Sequence, residues 1–119
     1  MARSGLQGPY PFTMNAIKNL VVKADDWSSA GVFALGTLKD KQFFIHRVGH
    51  ADGDLGKELQ KYIGQYSAFR FRFYTSTRIA YDKECNLYHE FNPKDNLTHP
   101  IKPKNTKFTC PKPFCEFSK

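Results

Sequence analysis

The chain has 119 residues and a 40% hydrophobic fraction, enough for one compact domain with a real core and short for two. Eighteen Lys and Arg against 11 Asp and Glu leave a formal charge of +7, which points to an anionic partner, with plain solubility as the simpler explanation. A charged fraction of 24% argues against a wholly disordered polymer, and no run reaches the roughly 18 apolar residues of a membrane span.

The first residues, MARSGLQGPYPF, hold one early Arg and then turn formers, not an apolar tract, so a cytoplasmic protein is expected. Gly5, Gly8, Pro9 and Pro11 make residues 1–12 read as a flexible lead-in. Met14, Ile17 and Val21 then recur at helical spacing and predict a short helix over 13–22. After a connection at 24–30, the apolar run GVFALG at 31–36 and QFFIH at 42–46 predict a β-hairpin across a polar turn.

Asp52 or Asp54 is positioned to cap a helix over 55–63, marked by Leu55, Leu59, Tyr62 and Ile63 and stopped at Gly64. The cleanest alternation in the chain follows in AFRFRFY. Phe69, Phe71 and Phe73 share one face of a strand, and Arg70, Arg72 and Tyr74 share the other. Thr75–Thr77 cap a last helix, whose stripe is Ala80, Leu87, Tyr88 and Phe91. The expected fold is therefore a small α/β domain, a short antiparallel or mixed sheet flanked by helices. Its expected division is a lead-in and short helix at 1–29, the domain proper at 30–91, and a Pro- and Lys-rich tail at 92–119.

The charge surplus is segregated. Arg70, Arg72, Arg78 and Lys83 face only Asp82 in residues 66–83, and six Lys meet Asp95 and Glu116 in 92–119. Arg70, Arg72, Lys102, Lys104 and Lys107 are the candidate contacts to backbone phosphate, which implies weak sequence preference and steep salt dependence.

Glu84 lies four residues after Ala80, three before Leu87 and four before Tyr88, on the apolar side of the last helix. A buried carboxylate needs a cation, hydrogen-bond donors or a metal, since leaving the charge unpaired costs several kcal/mol as an order of magnitude. Next to it, Cys85 and His89 share a helix face. With Cys110 and Cys115 they make four ligands of the kinds zinc takes in a closed structural site, and His99 is a substitute. Such a Zn²⁺ would clip the tail to the helix. Buried free thiols with a surface imidazole, or a Cys110–Cys115 disulfide, are the alternatives.

In order, Gly31–Val32–Phe33, Arg47–Val48–Gly49, Asp54–Leu55 before a helix, and Ala80–Asp82 leading to Glu84 resemble the GIY-YIG nuclease superfamily over roughly residues 30–91. Cys85–Asn86–Leu87–Tyr88–His89, His99–Pro100 and Cys110–Pro111 resemble a branch of it with a Cys- and His-containing extension. The resemblance implies an endonuclease that hydrolyses phosphodiester bonds of nucleic acid, DNA in particular. It also implies that Glu84 holds a catalytic Mg²⁺ or Mn²⁺, and a symmetric double-strand cutter would work as a homodimer.

Three positions depart from the family pattern. Phe33 lacks the hydroxyl of the first tyrosine, Arg47 replaces the second, and Glu58 stands where an arginine is usual. A rebuilt site would use Arg47 as phosphate clamp and His50 as general base, with Lys57 beside Glu58. The competing expectation is a nuclease-derived module that binds nucleic acid or a protein partner without cutting.

Overall fold

A computed structural model describes residues 6–22, 30–51, 55–74, 76–91 and 93–96. The elements in chain order are β1 (Gln7–Pro11), α1 (Met14–Ala16, running into a π-helical turn at Ile17–Val22), β2 (Ala30–Lys39), β3 (Gln42–Ala51), α2 (Leu55–Gln60), β4 (Ala68–Tyr74) and α3 (Thr77–Phe91). The strands form one four-stranded sheet in the order β1-β4-β2-β3, every neighbouring pair antiparallel.

Alternation along the strands sorts side chains into two apolar layers. One holds Phe12, Ile17, Phe33, Leu35, Leu55, Leu59, Phe69 and Phe71 under α1 and α2. The other holds Ala30, Val32, Ala34, Val48, Ala80 and Leu87 under α3. The sheet is thus sandwiched between helices. Each fully buried Phe or Leu contributes about 1.5–3 kcal/mol of transfer free energy. The stripe of α3 is as expected, since Ala80 and Leu87 are buried and Tyr88 and Phe91 pack against them.

Local chemistry sets the element ends. Ser76 caps α3, its Oγ accepting from the amide of Ile79 at 3.1 Å, and Thr13 caps α1 by accepting from Ala16 at 3.1 Å. The β2–β3 turn is two residues, Asp40 and Lys41, both at positive φ (51° and 65°). The hairpin runs through Lys39 and Ala51, well past the 31–36 and 42–46 expected: Thr37–Lys39 carry β2 to the turn, and Arg47–Ala51 carry β3 along β2 as far as Gly31. Its register slips at Leu35/Gly36, where a Cβ on Gly36 would lie 1.8 Å from the Phe44 carbonyl oxygen. Only glycine fits that bulge.

The N-terminal segment corrects the expected lead-in. Residues 7–11 form the β1 edge, with Gly8 (φ 114°) and Pro9 at the break in register between Gln7 and Tyr10. The turn formers make a bulge and do not end pairing. Aromatic contacts hold the segment down: Tyr10 meets Phe69 and Phe71, both at 5.9 Å, and Phe12 meets Phe69 at 5.3 Å. Pro9 and Pro11 have no N–H to offer along the outer side of β1.

The other edge strand, β3, is also occupied. Asn96 accepts from the amide of Val48 (2.7 Å) and donates to its carbonyl (3.0 Å), and Asp95 N–H donates to the carbonyl of His46 (2.8 Å). One side-chain amide therefore does what a neighbouring strand residue would. The domain extends at least from Leu6 to Asn96, beyond the 30–91 expected. Lys102, Lys104, Lys107, His99, Cys110 and Cys115 lie outside the described residues.

Candidate functional site

Helix α3 turns Glu84 toward the sheet, and β3 presents His50 on the same side. Glu84 is 5% exposed and accepts a hydrogen bond at Oε1 from His50 Nδ1. Val32, fully buried, is the cross-strand partner of His50. The Tyr81 ring stands edge-on to the imidazole at 6.1 Å and 77°. An apolar layer on one side and a helix on the other keep this pair out of bulk water. The charge expected to need a partner has one. The inward placement of Glu84 follows from helical spacing alone, and its contact with the hairpin is as expected.

Arg47 is elsewhere. Positions 47 and 50 differ by an odd number along β3, so their side chains leave opposite faces of the sheet. Arg47 joins the α2 layer: its Nε–H donates to the Tyr66 hydroxyl (3.1 Å), and its guanidinium lies 5.2 Å from the Tyr62 ring centre. Tyr66 in turn donates to Asp95 (2.6 Å). Burial works against the Arg47 charge, but Tyr66, Tyr62 and Asp95 outweigh it and hold its pKa above the usual value. For Tyr66, burial pushes the phenol up and the bond to Asp95 adds to this, while Arg47 opposes it.

Lys57 is exposed on α2, and its neighbour Glu58 pairs with Lys61 at 2.9 Å. Lys57 and Arg47 therefore stand in one layer, Glu84 and His50 in the other. The four residues expected to form one site divide in two. Phe33 belongs with Arg47, its ring 5.9 Å from that of Tyr62.

The arginines of β4 do share a face, and it is the α3 side. Arg70 lies over the Phe43 ring (5.6 Å) and donates through Nη1 to the carbonyl of Leu6 (3.1 Å), and burial lowers its pKa. Arg72 is exposed and lies over the Tyr74 ring (5.5 Å). Val32 pairs across the ladder with both Arg72 and His50, so the three form one row across the sheet. Arg72 is thus a cation on the face of Glu84 and His50, where Arg47 was expected.

Cys85 is fully buried, and His89 is half-buried with its ring edge-on to Tyr88 at 5.3 Å. Among the described residues no group of three or more His, Cys, Asp or Glu is placed to hold a metal, and the other proposed zinc ligands fall outside them. For Mg²⁺ or Mn²⁺, Glu84 is a single carboxylate with one oxygen already on His50. That donor set fits a hard cation only where a substrate phosphate and water supply further oxygens.

Three participants carried no sequence signal. Tyr66, Asp95 and Asn96 are polar residues far from their partners along the chain, with no motif spacing. Parity along β3 was the available clue to the division between Arg47 and His50.

Comparison with family models, curated proteins and solved structures finds no match for this chain.

Proposed function

We propose that the chain is an endonuclease acting on the phosphodiester backbone of nucleic acid, DNA in particular, with His50 and Glu84 at its chemical centre. The observation that carries this reading is the buried carboxylate bonded to an imidazole nitrogen. The order hairpin, helix, strand, helix, with a glutamate on the last helix, supports a GIY-YIG-like organisation. The positive charge of the chain suits the substrate.

In this mechanism Glu84 fixes the imidazole orientation and stabilises its protonated form. His50 takes the proton of the attacking water through Nε2, since Nδ1 is committed to Glu84, and gives it back to the departing sugar oxygen as its bond to phosphorus breaks. Cations on the same face, Arg72 first among them, offset the charge that develops on phosphorus-bound oxygen. A Mg²⁺ or Mn²⁺ ion, when bound, would supply Lewis acidity, and Glu84 is the residue that would hold it. Arg47 and Lys57 belong to the opposite side of the sheet and take no part in the step.

The near-complete burial of Glu84 and the engagement of Arg47 by Tyr66 favour a second reading, a nuclease-like module that binds without cutting. Cleavage of labelled DNA and RNA with Mg²⁺ or Mn²⁺ separates the two. Under the first, wild type cuts, and Glu84→Gln or His50→Asn lowers the rate by about 100-fold or more with the fold intact by circular dichroism. Equal cutting by wild type and both variants removes the pair from the mechanism. Salt-sensitive binding with no cutting leaves the second reading.

A further inference from the structure

Arg70 and Arg72 are two residues apart on β4, so their side chains leave the same face and repeat at about 7 Å. Each guanidinium lies over an aromatic ring, Arg70 over Phe43 at 5.6 Å and Arg72 over Tyr74 at 5.5 Å. Lys83, half-buried on α3, stands within reach of the Arg72 charge, and Glu90 is the acid beside it. Arg72 is exposed and Tyr74 half-buried, so the strip borders solvent.

We propose that this strip is a platform for single-stranded nucleic acid, with phosphates on the edges of the guanidinium groups and bases stacked on the guanidinium and ring faces. The proposal rests on the nucleic-acid reading above and adds the strand state of the substrate. An arginine stacked on a ring has its plane fixed before anything binds, so less side-chain freedom is lost on contact. Planar cations and aromatic rings accept any base, provided that base is out of a duplex. The pitch of about 7 Å is comparable to the separation of successive phosphates along one strand, so both guanidinium groups can meet the same strand, and it is the stacking faces that favour a base out of its duplex. The row Arg72–Val32–His50 places the strip about 10 Å, two strand spacings, from the imidazole. A strand lying along β4 would run on the same sheet face as the Glu84–His50 pair, with Val32 between them.

The test uses the full chain carrying Glu84→Gln, so that binding is read without turnover. Its probes are an eight-nucleotide oligothymidylate and a DNA hairpin with an eight-base-pair stem and a minimal loop, compared by fluorescence anisotropy at matched salt. The oligothymidylate is expected to bind about tenfold tighter or more. Arg72→Met weakens it by about tenfold and flattens its salt dependence by roughly one phosphate contact. Tyr74→Leu weakens the oligothymidylate and leaves the stem unchanged. Arg72→Lys, which keeps the charge and loses the planar stack, falls between wild type and Arg72→Met. Stem binding as tight as single-strand binding overturns the proposal, as does wild-type affinity in both Arg72→Met and Tyr74→Leu. Single-strand preference in a chain that cuts nothing supports the platform and sinks only the hydrolytic reading. Cutting without that preference does the reverse.

Discussion

On the α3 side of the sheet, Glu84 meets one imidazole inside an apolar layer; on the α2 side, Arg47 meets a phenol, an aromatic ring and a carboxylate at the rim. The first arrangement is buried and meets little water, so the Glu84–His50 bond matters a great deal. The second spreads one charge over several groups that water can partly replace. Chemistry suits the first, because a proton held between two groups in a dry place responds to small changes. The second suits architecture, and it fastens residues 95 and 96 to the hairpin.

The contrast can be broken at its strongest point first. Glu84→Leu leaves His50 in an apolar layer without its carboxylate, and is expected to cost about 3 kcal/mol by urea denaturation. Adding His50→Leu should return much of that loss, since an apolar pair replaces a half-made polar one. No recovery in the double variant would show that the pair is not the unit of stability on this face.

Gly49→Ala probes the opposite layer. A Cβ at Gly49 would lie 2.4 Å from the ring of Phe33, so the ring must move, at an expected cost of about 2 kcal/mol. Wild-type stability in this variant would mean that Phe33 has room the described packing does not show.

The smallest effect is expected at the rim. Tyr66→Phe removes the bonds to Arg47 and Asp95 and should cost about 1 kcal/mol. It also carries a pH signature. The Tyr66 pKa is raised on folding, so the native state holds that proton more tightly than the unfolded chain does. Its contribution is complete below the ordinary phenol range and is lost as pH rises through the folded value. Melting curves across the alkaline range should therefore fall less steeply in Tyr66→Phe than in wild type. Parallel curves would refute the linkage.

The strand at 68–74 was legible to the residue because alternating Phe and Arg leave one register. The inward direction of Glu84 was legible from the 3.6-residue period of its helix. The β1 strand was not, because Gly8 and Pro9 signal a turn, and the aromatic contacts that override them come from β4, some sixty residues away along the sequence. Arg47 was drawn toward Glu84 by its place in a tripeptide, although strand parity sends it to the other side. Asn96 shows the limit most plainly: nothing around it in sequence says that its amide will sit on the backbone of Val48.

That amide has a consequence for how copies of this chain can meet. Extension of a sheet from one molecule into the next requires a free row of donors and acceptors, and this fold interrupts that row on both margins, with prolines at one and Asn96 at the other. A symmetric pair, if the chain forms one, has to be built from side-chain surfaces, and the unproductive route toward cross-β stacking is obstructed at the same two places.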